Sequence, residues 1–236
     1  MKKLLPLLLV SLLIYWGCED TTTNEVTLWG EVYSIEDTDT LNLYNNQLTG
    51  SIPPEIGNLT NLTFLNLYDN QLTGEIPPEI GNLTNLTHLL IRNNLITGSI
   101  PSEIGNLTNL TYLYLNDNQL SGSIPSEIGN LTNLTHLDLH NNQLTGLIPT
   151  GLSNMTYLRS LYLNENVLSG PIPQKIGNMT LLRNLYLNDN FLRGIIPDEI
   201  CNQGDISPGL SGNQLCPPYP SCVEDYVGNQ DTSGCD

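Results

Sequence analysis

The 236-residue chain contains no alanine. Alanine is the strongest helix former, so its absence argues against a helical bundle or an α/β enzyme. Charge is scarce as well: charged residues make up 13% of the chain, about half of the ~25% usual for globular domains. Basic charge is scarcest, with 7 Lys+Arg against 24 Asp+Glu and a formal net charge of −17. Neutralising phosphates supplies most of the affinity for nucleic acid, so no nucleic acid is expected as a partner. What fills the chain instead is Asn, Leu, Thr and Gly, with 20 Gly and 15 Pro. That is the composition of a polar-laddered repeat more than of a closed core. Length alone allows one or two domains.

The longest apolar stretch, Leu4 to Trp16, follows Lys2 and Lys3 and precedes Gly17-Cys18. It falls short of the ~20 residues needed to span a bilayer. A basic start, a short apolar run and a small residue read as a signal peptide over 1–17. With Cys18 next, the segment resembles a bacterial lipoprotein signal, and that resemblance implies lipidation of Cys18. Tyr15 and Trp16 stand where that motif prefers Leu and a small residue. Ordinary secretory cleavage or an uncleaved anchor is the alternative. The expected location is the cell surface or the outer membrane, as an anchored lipoprotein, or else outside the cell as a secreted protein. Membrane contact is expected only through the N-terminal lipid. Cys201, Cys216, Cys222 and Cys235 all fall in the last 36 residues. An even number clustered in an exported chain predicts two disulfides, with three connectivities open. A zinc site competes, but no His follows His140 and the spacings are not those of paired CxxC knuckles.

Between these ends one unit repeats. Leu41, Leu65, Leu89, Leu113, Leu137, Leu161 and Leu185 recur every 24 residues. Asn46 through Asn190, Gly50 through Gly194, and Ile52-Pro53 through Ile196-Pro197 keep the same period. The unit resembles the leucine-rich repeat, LxxLxLxxNxL, and its Gly-x-Ile-Pro continuation is similar to the plant-type 24-residue class. One coil cannot bury its apolar face alone, whereas stacked coils bury a continuous strip. The Asn column satisfies inward-turning backbone groups. Gly74 and its equivalents are expected in a conformation denied to residues with a Cβ. Pro77 is expected to break any regular ladder and to begin the convex segment. The fold class expected is a β-solenoid: a curved right-handed coil with a concave parallel β-sheet and a 3-10 or irregular convex side. The organisation expected is a signal peptide over 1–17, an N-terminal linker and cap over 18–40, seven repeats over 41–208, and a partial repeat with a Cys-rich cap over 209–236. Trp29-Gly30 with Tyr33 and Ile35 resembles the N-terminal cap of plant-type repeats, although Val32 stands where that family usually carries Cys. Cys201 replaces the Gly of earlier repeats, which fits a bridge closing the last coil.

Function belongs to the columns that vary. Side chains alternate across a strand, so LxxLxLxxN leaves outward columns between its leucines. The first reads Phe64, His88, Tyr112, His136, Ser160, Asn184. The second includes Leu90, Tyr114, Asp138, Tyr162 and Tyr186, and the third includes Tyr44, Tyr68, Arg92, Asn116 and His140. A fourth, at the edge, reads Asn45, Asp69, Asn93, Asp117, Asn141, Glu165, Asp189. All 3 histidines and six of the 11 tyrosines fall on this face. Amphipathic rings give contact area at low entropy cost, which marks a recognition surface. The plainer explanation is that strands favour Tyr and that copied repeats drift. The candidate ligand-binding residues are Phe64, Tyr68, His88, Arg92, Tyr112, Tyr114, His136, Asp138, His140, Tyr162 and Tyr186. His136 with Asp138 has the spacing to share a metal, and Ser160 beside His136 makes a nominal Ser/His/Asp set. No oxyanion hole is visible, so no catalytic residue, no metal and no cofactor is expected. Ten Asn-x-Ser/Thr sequons fall out of the repeated NLTNLT segment and read as structural. Family resemblance implies a non-enzymatic, monomeric, surface-exposed module that takes a protein or peptide ligand. A carbohydrate ligand, or a passive structural or adhesive surface role, is the alternative.

Overall fold

A computed structural model describes residues 24–235, so the proposed signal peptide and Cys18 lie outside the described residues. Each coil opens on a short strand because two leucines flank one outward residue and turn the same way. Thr40–Asn42, Phe64–Asn66, His88–Leu90, Tyr112–Tyr114, His136–Asp138, Ser160–Tyr162 and Asn184–Tyr186 form one seven-stranded parallel sheet in chain order. Its register pairs Leu65 with Leu41 and Leu89, and Leu137 with Leu113 and Leu161. Each outward column therefore stands side by side across the sheet. The leucines beneath fuse with the convex Ile and Leu residues into one core running from Val26 to Val227.

The convex side is a row of 3-10 helices, from Pro54–Asn58 to Asp198–Asn202. A proline holds each entry extended, as Pro77 does at φ −68° and ψ 140°. The coils approach closely here. A Cβ on Gly105 would lie 2.6 Å from the Glu127 carbonyl oxygen, and one on Gly129 would lie 2.7 Å from that of Gly151. This explains the glycine of the repeated Ile-Gly-Asn. Beside the helices, the amides of Asn61, Asn85, Asn109 and Asn133 donate to carbonyls of the preceding coil at 2.9 Å, so four of the ten sequons carry a structural amide.

A second sheet that the sequence reading did not include lies between the Asn turn and the proline, where each strand ends. Ser121–Ser123, Gln143–Leu147, Val167–Gly170, Phe191–Ile195 and Gln214–Cys216 form a lateral five-stranded sheet, and Thr49–Gly50 pairs with Gln71–Leu72. The Gln-Leu-Thr-Gly stretch still has free backbone groups after the Asn turn, and the neighbouring coil satisfies them. The Gln143 N–H, for example, donates to the Leu120 carbonyl at 2.8 Å. Gly74, at φ +73°, ends such a segment in the left-handed region.

The turn between the sheets rests on the Asn column. Asn142 Nδ2 donates to the carbonyls of Leu115, Leu139 and His140 at 3.1, 3.2 and 3.2 Å, and its Oδ1 accepts the Leu120 N–H at 3.0 Å. Asn213 repeats the pattern in the last, partial coil. At the N-terminal end, strands Glu25–Leu28 and Glu31–Ser34 form a hairpin whose turn residues, Trp29 and Gly30, are both left-handed (φ 48° and 88°). Trp29 packs part-buried against the core. At the other end the disulfides are Cys201–Cys222 and Cys216–Cys235, with Cα–Cα distances of 5.7 and 5.6 Å.

Candidate functional site

The first outward column becomes a stack of rings, since parallel strands hold equivalent positions ~4.8 Å apart. Phe64 and His88 are tilted at 5.4 Å between centroids. His88 and Tyr112 stack at 4.6 Å, and Tyr112 and His136 stack at 4.7 Å. The third column forms a parallel ridge. Tyr44 stacks on Tyr68 at 5.0 Å, and the Arg92 guanidinium carbon lies 4.1 Å from the Tyr68 centroid and 5.6 Å from that of Tyr114. Tyr114 joins the two ridges, meeting Tyr112 edge-on at 6.1 Å. Arg92 Nε is buried without a hydrogen-bond partner. Its charge is balanced by ring faces, because no carboxylate pairs with it among the described residues.

The residue before the strand sets the histidines. The Thr87 hydroxyl donates to the Thr63 carbonyl at 2.8 Å and lies 2.8 Å from His88 Nδ1. A hydroxyl has one proton, so with that proton on the carbonyl it accepts from Nδ1–H. Thr135 does the same between the Thr111 carbonyl (3.0 Å) and His136 Nδ1 (2.8 Å). Both imidazoles therefore carry their proton on Nδ1 and leave Nε2 as an acceptor. Burial lowers the pKa of each, and the Arg159 charge lowers that of His136 further, so both rings are neutral at pH 7.

His140 is a different histidine. Its Nδ1 lies 2.6 Å from Asp138 Oδ1, and its Nε2 lies 3.7 Å from Asp117 Oδ2. The Asp138 hydrogen bond raises its pKa against the opposing effect of burial, helped by the charges of Asp138, Asp117 and Glu165. This corrects the pairing of Asp138 with His136 considered from the sequence: Asp138 serves His140, two residues further along its own chain. The nominal Ser/His/Asp set is likewise not assembled. Ser160 is paired in register with His136, but it is buried and its hydroxyl accepts from Asn184 Nδ2 at 3.0 Å.

Of the candidate residues, Phe64, Tyr68, His88, Arg92, Tyr112, Tyr114 and His136 meet in the double ridge, and Asp138 and His140 adjoin it. Tyr162 and Tyr186 form a separate stack, 5.2 Å between centroids. Sequence reasoning left out Tyr44, Thr87, Thr135 and Asp117. Tyr44 shares the third column and was open to inclusion on that ground. Thr87 and Thr135 share the scaffold's Thr column, which gives no signal in the sequence. The fourth column, read as variable, is conformational. Asn45, Asp69, Asn93, Asp117, Asn141, Glu165 and Asp189 all have φ between 50° and 58°, where Asn and Asp are tolerated best.

Comparison with known proteins supplies the context. A leucine-rich repeat region matches residues 101–191, a two-copy leucine-rich repeat unit matches 39–78, and a single repeat matches 85–107 and 181–203. Among solved structures, the chain is similar to the Arabidopsis receptor kinase HAESA, solved in complex with the peptide hormone IDA and the co-receptor SERK1. Identity there is 38% and the TM-score 0.69, over 75% of this chain and 30% of that one. It is similar to the crystal structure of PEPR1-AtPEP1 at 36% identity and TM-score 0.72, over 75% of this chain and 25% of that one. A leucine-rich repeat protein of Leptospira interrogans is 37% identical with TM-score 0.65, over 79% of this chain and 46% of that one. The chain thus spans less than a third of the length of these plant receptor structures. No curated protein matches it.

Proposed function

The chain belongs to the leucine-rich repeat family, in its plant-type class, and from that premise we propose that it is a non-enzymatic, monomeric surface module that takes a protein or peptide ligand on its concave face. The observation that carries this reading is the double ridge. Eight rings and the Arg92 guanidinium gather on the first five coils of the concave sheet, with Tyr162 and Tyr186 as a separate pair beyond them. Arg92 lies over the tyrosine rings and meets no carboxylate among the described residues, which leaves its charge for a ligand to meet. The HAESA structure supports the ligand class, since it was solved in complex with a peptide hormone. Two disulfides suit an exported protein, and attachment through a lipidated Cys18 belongs to the same proposal.

The test uses the soluble chain from Glu19 onward as bait against native cell-surface or host extract. Single substitutions Tyr112→Ala, Tyr114→Ala and His136→Ala are compared with convex controls Thr84→Ala and Thr108→Ala. A ridge residue acting as an interface anchor contributes about 2 kcal/mol, some 30-fold in affinity. Ridge variants should therefore lose the captured ligand while the controls keep it. Equal capture by both sets removes the basis of the reading.

A further inference from the structure

The ring stack has a period as well as a composition. His88 and His136 stand two strands apart, about 9.5 Å, with Tyr112 stacked between them at interplanar angles of 15° and 13°. Thr87 and Thr135 fix both imidazoles in one tautomer, so two Nε2 lone pairs stand on the same face at that interval. Among the described residues no hydrogen bond ends on either Nε2. Stacking turns the ring faces toward one another and the ring edges outward. A sugar, which lies on a ring face, finds no platform in this column. A row of hydrogen-bond donors spaced about 9.5 Å along the solenoid finds acceptors.

Peptide conformations differ in the distance after which they present the same face. An α-helix repeats every 5.4 Å and a strand about every 6.7 Å. Polyproline II has three residues per turn and a rise of ~3.1 Å, so it repeats about every 9.3 Å. Only this last period matches two coils. It is also a conformation that docks in aromatic-lined grooves at low entropic cost. Charge supplies the second constraint. Asp69, Asp117 and Glu165 stand along the edge of the sheet at the same two-coil interval, with Asn93 and Asn141 between them. Asn93 donates to Asp69 and Asn141 to Asp117, both at 2.8 Å, and the cationic contact to this row among the described residues is His140 on Asp117.

Building on the concave-face reading, we infer that the ligand is a basic polyproline II segment laid along the solenoid over the second column, from Asn66 to Asp138. At every third position a residue other than proline donates its backbone N–H, first to His88 Nε2 and then to His136 Nε2. Its Lys or Arg side chain points to the carboxylate edge. Proline has no N–H to donate, so prolines fill the two positions between and lie against Leu90 and Tyr114.

Two synthetic probes of identical composition and charge test this: acetyl-(Pro-Pro-Lys)3-amide, which keeps the three-residue register, and acetyl-(Pro)6-(Lys)3-amide, which does not. Affinity is measured by calorimetry in every variant, and in the wild type contact is followed by NMR at the imidazole nitrogens. Two neutral hydrogen bonds correspond to roughly 10- to 30-fold, so the registered probe should bind about that much more tightly and shift both Nε2 resonances. The double variant His88→Phe/His136→Phe keeps a stacked ring column, as Phe64 already does, and should abolish the difference. Equal affinity for the two probes, an unchanged ratio in the double variant, or no binding of the registered probe at about 5 mM each overturns the inference. Capture of a native ligand that is lost in Tyr112→Ala separates the two readings: if it persists while the probes fail, this inference falls and the concave-face reading stands.

Discussion

Three histidines on one face of one sheet acquire two chemistries from the atoms beside Nδ1. A threonine hydroxyl there fixes the tautomer of His88 and His136, which burial keeps neutral, and leaves Nε2 as an acceptor, whereas a carboxylate makes His140 a cation-favouring group. An NMR pH titration should place the His140 midpoint above the ordinary ~6.5 of histidine and the other two below it, and Asp138→Asn should bring His140 down. The linkage follows from these directions. A raised folded pKa means that His140 stabilises the fold below its unfolded pKa, and that this contribution is lost as pH rises through the folded value. The lowered values of His88 and His136 act oppositely: their contribution is present above the unfolded pKa and lost as pH falls through the folded one. In the wild-type protein the two contributions therefore oppose each other. In Asp138→Asn, stability should rise more steeply with pH than in the wild type, with a difference of less than about 1 kcal/mol, since His140 and its partners are partly exposed. A variant whose slope equals that of the wild type contradicts the assignment. The column positions of all three histidines were legible in the sequence from the 24-residue period. The tautomers of His88 and His136 were not, because they depend on Thr87 and Thr135, which are indistinguishable in the sequence from Thr63 and Thr111.

The coil is the unit at which the repeated residues find their reasons, and different columns answer to different constraints. The Asn column satisfies four backbone groups at once, the fourth outward column tolerates a left-handed backbone, and the convex glycines exist because the next coil is too near. That last constraint can be measured. A methyl on Gly105 meets the Glu127 backbone at 2.6 Å, and backbone shifts forced by overpacking cost about 1–3 kcal/mol. Gly105→Ala should lower stability in urea by that amount. Gly234→Ala, with open space around it, should stay within about 0.5 kcal/mol of wild type. At this scale the sequence read well wherever a column reports packing, as the buried leucines do. It read less well where hydrogen bonding between coils decides. Pro77 and its equivalents cannot donate to a ladder, yet the stretch before each of them can, and a second sheet forms there that period and propensity do not announce.

At the scale of the whole molecule, each coil touches only its neighbours, so stability is a chain of nearest-neighbour terms and the ends decide where opening begins. The two ends are built differently. The N-terminal hairpin seats Leu28 and part of Trp29 on the first coil without a covalent tie, and exposed Val32 occupies the place of the family's usual cysteine. The C-terminal end is tied twice, across sequence separations of 21 and 19 residues. Closing loops of that size contributes about 3 kcal/mol each in the chain-entropy account. In the oxidised protein, hydrogen exchange should therefore be fastest in Glu25–Ser34 and slow from the strand Phe64–Asn66 onward. Reduction should reverse the order, opening Phe191–Ile195 and Gln214–Cys216 first while His88–Leu90 to His136–Asp138 keep their protection. The double ridge from His88 to His136 sits on those protected strands, and its remaining rings lie further still from the disulfides, so its geometry does not depend on them. Reduced protein should then retain ligand capture and still lose its last coil. If reduction instead opens every coil together and abolishes binding, the solenoid behaves as one cooperative unit and the central position of the site gives it no such independence.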